Sequence, residues 1–323
     1  MLENIWSSQQ GTWGYRSYRE YLNIRFPGRV IRKLCLNAGF SCPNLDGRVS
    51  TGGCSYCNNQ GFVPKNTGKN HLLEQWDAGR EALRRRYRKV DGFIAYFQAF
   101  SNTYGPMERL RNLYDQAHLK YPECCGLSIS TRPDCINAEV VALFEELGQQ
   151  TFTTLEIGLQ SDRDELLKLT NRGHDVADFM RALDLAAYKN FDLCVHFILG
   201  LPGEGEDAPE RMGKLASQWP IRSVKIHNLH IMKGTEMAKQ FEQGQILGIE
   251  REAYLDAVAR FVNQLRPDQY CQRVLADAPS QVLLSGAWCQ KKQSFLPDLG
   301  LRLAQASIQA PPWARLQEHI IAT

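Results

Sequence analysis

Three cysteines, Cys42, Cys54 and Cys57, stand in the segment Cys42-PNLDGRVSTGG-Cys54-SY-Cys57. Thiolates gathered at such short spacing bind metals. A 4Fe-4S cluster held by three thiolates keeps one iron without a protein ligand, and that iron is where chemistry can enter. Gly47, Gly52 and Gly53 give the loop the backbone freedom to wrap a compact inorganic group. A structural zinc site wants four ligands, typically two such pairs. The other cysteines, Cys35, Cys124, Cys125, Cys135, Cys194, Cys271 and Cys289, supply no second pair at that spacing. On spacing alone, zinc and a plain electron-transfer cluster remain open.

The chain that carries this loop has 323 residues, 43% of them hydrophobic and 23% charged. That is an ordinary globular composition, and neither disorder nor a solenoid repeat is visible. Glu3 stands early, no basic start leads into an apolar run, and no stretch reaches membrane-spanning length. These features predict a cytoplasmic protein, with no membrane partner, whose thiols stay reduced. A net charge of +3 is too mild to argue for nucleic acid by itself. One segment is denser: Arg80, Arg84, Arg85, Arg86, Arg88 and Lys89, with Tyr87 among them. That helix either neutralises RNA phosphates or is a solvated outer face.

Short apolar runs alternate with amphipathic ones. Strands are expected near Lys33 to Asn37, Gly92 to Ala99, Gly126 to Thr131, Phe152 to Gln160, Asp192 to Leu199 and Ser223 to His230. Helices are expected over Leu72 to Lys89, Pro106 to Lys120, Asn137 to Gly148, Val176 to Lys189 and Pro209 to Gln218. Alternation of this kind implies parallel strands with right-handed crossovers, closed partly into a barrel or open and doubly wound. The cysteine loop then sits at the carboxyl end of the first strand. Residues 1–30 read as an N-terminal segment, 31–234 as the core, and 235–323 as a C-terminal extension packed on it. That extension holds a helix, a β-like stretch at Arg273 to Ala276, Pro-rich loops and a terminal helix.

The three-cysteine loop, with Tyr56 before its last cysteine, resembles the signature of the radical S-adenosylmethionine (SAM) superfamily. STRPD (130–134), EIGLQS (156–161), NRGH (171–174) and KIHNLHIMKGT (225–235) are similar to the radical-SAM core of the elongator catalytic subunit, which modifies tRNA wobble uridine. CPNLDGRVSTGGC, FIAYFQAFSNTYGP, GLSISTRPDC and HFILGLPGE look still more like an uncharacterised bacterial radical-SAM family related to that subunit. The resemblance runs from about residue 15 to beyond 280. Two departures stand out: eleven residues separate the first two cysteines, and nothing after residue 240 has room for the subunit's acetyltransferase domain.

This resemblance implies an α/β fold, a partial (β/α)6 radical-SAM barrel. It implies a 4Fe-4S cluster and SAM as cofactors, a 5′-deoxyadenosyl radical as the product of SAM cleavage, and a reductant such as flavodoxin or ferredoxin. It also points to tRNA as substrate, against a small metabolite or a protein side chain. The cluster ligands would be Cys42, Cys54 and Cys57. Glu156 and Gln160 would face SAM from one side of their strand, and Arg172 would hold its carboxylate. Where the family usually has Gly-Gly-Glu, Gln98, Ser101 and Asn102 supply the acceptors, unless Ser101, Asn102 and Thr103 only cap the next helix. Tyr56, His196 and Ile198 complete the SAM-side set, His196 being either a contact or a core histidine. A buried Lys225 is costly without an anion, which makes it a substrate-side candidate together with His227, Arg132 and Asp134.

Overall fold

The computed structural model describes residues 14–58 and 71–306. A short helix, α1 (Tyr18–Arg25), comes first, closed by a capping box in which Ser17 and Glu20 satisfy each other's backbone N–H. Six strand-and-helix steps follow: β1 (Ile31–Leu36), α2 (Leu72–Arg86), β2 (Gly92–Phe97), α3 (Met107–Lys120), β3 (Cys124–Thr131), α4 (Ala138–Gln150), β4 (Phe152–Gln160), α5 (Asp164–Leu169), α6 (Val176–Ala186), β5 (Asp192–Leu199), α7 (Ala208–Gln218) and β6 (Ser223–Asn228). Then come β7 (Ile231–Met232), α8 (Glu236–Glu242), α9 (Arg251–Val262), β8 (Tyr270–Arg273), β9 (Leu283–Ser285) and α10 (Lys292–Ala306). Among the described residues no helix is long and apolar enough to cross a membrane.

The main sheet runs β1-β2-β3-β4-β5-β6-β8, all parallel. Flat, its edge strands would lie about 29 Å apart, six steps of about 4.8 Å. Instead Lys33 on β1 donates to the Gln272 side chain on β8 at 2.6 Å, so the sheet is curled into an incomplete barrel. Helices cover its outer surface, and Trp76, Tyr114, Phe144, Phe179 and Phe261 are wholly buried in that layer. The amino ends of the strands are plugged from below: Tyr18, Tyr21 and Leu22 of α1 pack on Ile31, Ile94 and Tyr270.

The structure corrects the sequence reading in several places. The sheet has a seventh strand, β8, which the expected count of six leaves out, and Ser17 forms an isolated bridge to Cys271 on it. The β-like stretch lies at Tyr270–Arg273, ahead of where it is expected. Ser101, Asn102 and Thr103 do not cap α3, whose N-cap is Pro106. All three are buried, and Thr103 Oγ1 bonds Thr131 Oγ1 and the Cys135 carbonyl, each at 2.6 Å, tying the loop after β2 to the end of β3. Gly148 lies inside α4, which continues to Gln150.

Close backbone approach explains that glycine: a Cβ there would stand 2.1 Å from the Asn190 carbonyl oxygen. Backbone cannot rotate away. Gly148→Ala should therefore cost about 1–3 kcal/mol, as overpacking does, seen as a lower urea midpoint with an unchanged slope.

Candidate functional site at the barrel's carboxyl rim

The centre of the lumen is one carboxylate. Glu156 on β4 is fully buried. Its Oε1 accepts from Lys33 Nζ at 2.5 Å and Ser128 Oγ at 2.6 Å. Its Oε2 accepts from Lys225 Nζ, and from Ser130 Oγ and His196 Nε2 at 2.9 Å each. Lys225 also donates to the Tyr96 hydroxyl at 2.7 Å, and both ammonium groups lie over the Tyr96 ring. Burial would push this carboxyl up, but Lys225, Lys33 and His196 hold it well below the usual carboxylate value. Side chains from β1, β3, β5 and β6 thus meet on one residue of β4, and Tyr96 of β2 joins them through Lys225.

Above this network the rim is built from two loops. The cysteine loop follows β1, and residues 170–174 follow α5. Asn44 Nδ2 donates to the Asn171 carbonyl at 2.5 Å, Asn171 Nδ2 donates to the Gly53 carbonyl at 2.8 Å, and Ser55 N donates to the Thr170 carbonyl at 2.9 Å. Arg172 completes the clamp. Its Nη1 donates to Cys54 Sγ at 3.5 Å and its Nη2 to the Gly158 carbonyl at 2.8 Å, while its Nε is buried with no hydrogen-bond partner. A side chain at Gly158 would collide with this guanidinium, at 2.8 Å. Phe100, Gln160 and Asn171, all near this rim, hold positive φ of 64°, 78° and 50°. Such non-glycine strain costs of order 1–3 kcal/mol each and concentrates where ligands are gripped.

Cys42 and Cys54 are buried, Cys57 partly so. Among the described residues no three His, Cys, Asp or Glu side chains are drawn together closely enough to hold a metal ion, the three cysteines included. Thiolates are gathered by the metal they share. The donor chemistry fits an iron–sulfur cluster: three thiols on one loop, and N–H donors from Arg172 and from Asn44 (3.7 Å) directed at Cys54 Sγ. Tyr56 packs with the apolar cluster of Ile198, Leu201, Leu229 and Met237.

Other expected residues have definite tasks. Arg132 donates from Nε and Nη2 to the two Asp134 oxygens, both at 2.8 Å, and from Nη1 to the Arg172 carbonyl at 2.7 Å. This pair thereby fastens the clamp from the end of β3. Asn102 Nδ2 is spent on the carbonyls of Phe97, Ala99 and Ser130, at 3.1, 3.1 and 2.9 Å. Gln160 is displaced by a register shift between Gly158 and Gln160, and its amide comes to lie over Gly158. Gln98, just past β2, is half-buried. His227 stands beside His196, ring centroids 5.4 Å apart. Lys33, Tyr96, Ser128 and Ser130 belong to the site and escape the sequence reading. Strand parity was the signal for Tyr96, Ser128 and Ser130, each two or four residues from the candidates Gln98 or Arg132; Lys33 had none.

Residues 47–216 match the radical SAM superfamily, and residues 221–305 match the radical SAM C-terminal domain. The chain belongs to the radical SAM superfamily. It is 34% identical over 291 residues to protein YhcC of Escherichia coli K12, covering 88% of this chain and 93% of YhcC. It is 28% identical over 180 residues to a tRNA uridine(34) acetyltransferase of Methanocaldococcus infernus, covering 54% of this chain but only 32% of that protein. The archaeal Methanocaldococcus infernus Elp3 structure superimposes with a TM-score of 0.63 at 18% identity, over 87% of this chain and 64% of that one. The α/β half-barrel is thus the radical SAM fold, and the superfamily is one of enzymes.

Histidines of this radical SAM barrel make its stability sensitive to acid. Burial, with Arg172 and Arg132 nearby, lowers His174 from 6.5 to about 2. Burial likewise lowers His196 to about 4, against the opposing pull of Glu156. The unfolded chain takes up these protons near pH 6.5 and the folded chain does not, so stability is lost as pH falls from about 6.5 toward 4. Each such histidine contributes up to about 1.4 kcal/mol per pH unit. Urea titrations between pH 6 and 4.5 should show His174→Gln with a slope shallower by about one proton; an unchanged slope would show that His174 is protonated in the fold.

Proposed function

We propose that Cys42, Cys54 and Cys57 hold a 4Fe-4S cluster and that the chain reductively cleaves SAM, with tRNA as its substrate and flavodoxin or ferredoxin as electron donor. The observation that carries this reading is the clamp: Arg172 joins the cysteine loop to β4 directly above the buried Glu156 network. When bound, the cluster and SAM supply a 5′-deoxyadenosyl radical that abstracts hydrogen from the substrate. The chain's own residues position the partners. Arg172, with its Nε still available, holds the SAM carboxylate as a planar fork can. Gln160 and His196 face SAM from the lumen, and Glu156 fixes Lys33 and Lys225 beneath it. His196, being neutral near pH 7, can donate or accept a hydrogen bond there without adding charge.

The tRNA reading draws on the relative named tRNA uridine(34) acetyltransferase. The arginine-rich helix does not add to it. Arg80 and Arg84 pair with Glu123, and Arg85 pairs with Glu81. Because α2 runs down to the start of β2, its arginines lie at the amino ends of the strands, roughly 20 Å of strand away from the rim. That placement favours a second reading, a small metabolite or protein side chain entering at the rim.

Anaerobically reconstituted protein should carry about four irons per chain and form 5′-deoxyadenosine from SAM with a strong reductant. Cys42→Ala, Cys54→Ala or Cys57→Ala should each abolish both, while Cys289→Ala should keep both. One zinc and no iron in the wild type would overturn the reading. Salt-dependent tRNA binding, with log affinity falling linearly in log salt, would separate tRNA from the second reading.

A further inference from the structure

Arg273 is a charge that neither the fold nor the clamp explains. It follows Gln272 on β8, where the register against β6 shifts and brings Lys225 opposite Arg273. Gln272 already faces the lumen, accepting from Lys33 and donating to Ser223 Oγ at 2.8 Å. In a regular strand the next residue would face outward, but a bulge re-aims it. Pairing with Lys225, whose side chain faces the lumen, puts Arg273 on the lumen side of β8. No acidic side chain among the described residues pairs with it.

Among the described residues, Lys33, Lys225 and Arg273 thus gather around the Glu156 carboxylate. The lumen's two histidines, kept neutral by burial, add no further charge. Positive charge gathered without counter-charge destabilises a fold and is retained where a ligand needs it. Access exists at the same place: β1 and β8 are the two edges of the sheet, and Cys35, on the lumen face of β1, is exposed.

We propose that the seam between β1 and β8, lined by Lys33, Lys225 and the re-aimed Arg273, binds an anionic group of the substrate, a carboxylate or a phosphate. The word substrate rests on the radical SAM reading above; the anion site does not. In this arrangement Arg172 serves the cofactor at one side of the rim and Arg273 the substrate at the other.

The test uses cluster-loaded protein titrated with malonate or inorganic phosphate, with chloride at equal ionic strength as reference. The melting midpoint is read with and without saturating SAM, since a ligand that binds only the folded state raises it. One of the two anions should raise the midpoint of the wild type well beyond chloride, and which one identifies the group as carboxylate or phosphate. Arg273→Gln should weaken that response at least tenfold, as loss of a charged hydrogen bond does, while keeping or raising the midpoint of the anion-free protein. Lys33→Gln, as a second variant, should weaken the response in the same direction. A wild type that answers neither anion overturns the proposal, as does a variant that loses midpoint yet responds fully. So does SAM that competes the response away, because the cations would then serve the cofactor. The midpoint needs no turnover: protein that forms no 5′-deoxyadenosine but keeps the Arg273-dependent response loses the proposed function and retains the anion site.

Discussion

A carboxylate with no access to water has to be surrounded by donors, and the barrel is organised around that need. Glu156 receives two ammonium groups, two hydroxyls and an imidazole. Those donors come from four strands, β1, β3, β5 and β6, so the network is complete only when the sheet is curled. Removing either lysine would leave charge buried without its partner, the costly way to break such a network. A hydrophobic filling would give the same curvature more cheaply. Its polar character is therefore a property of what the lumen holds, not of what the fold needs.

The rim depends on the same curvature. The cysteine loop leaves β1 at one edge of the sheet, while residues 170–174 come from the connection between β4 and β5, near its middle. They touch because the sheet bends them together. Arg172 then transmits the position of β4, through the Gly158 carbonyl, to the sulfur of Cys54. Arg132 holds the Arg172 backbone from β3 with all its nitrogens engaged. Strained backbone at Gln160 and Asn171 is what such over-determination can sustain.

Much of this was legible from residues alone, for physical reasons. Parallel strands covered by helices must be apolar on their outer face, so β2 to β6 announce themselves as short apolar runs, and the cysteine loop announces itself by spacing. Lys33 was not legible as a site residue because its partner Glu156 lies 123 positions away. Nor was β8: four residues, half of them polar, make a strand only because β6 offers an edge to pair with. Ser101 to Thr103 have the composition of a helix cap. Their burial, a tertiary fact, turns them instead into ties between β2 and β3.

Charge in the lumen also orders the two ends of the barrel. At the amino ends, α1 packs tyrosines against the sheet, Tyr21 donates to Asp192, and Arg16 just before α1 donates to the Tyr270 hydroxyl at 2.8 Å. At the carboxyl end the same sheet presents thiols, a guanidinium with a spare donor and an excess of ammonium charge. Negative groups are therefore drawn toward the rim. The arginines of α2 cannot compete for them inside the lumen, because they lie outside the helix layer and already face Glu81 and Glu123. Steering by the surface and binding by the lumen are thus separated by the thickness of the barrel. A ligand that uses both must be long enough to span the outside of the sheet, whereas one that uses the lumen alone need only reach Glu156 and its cations.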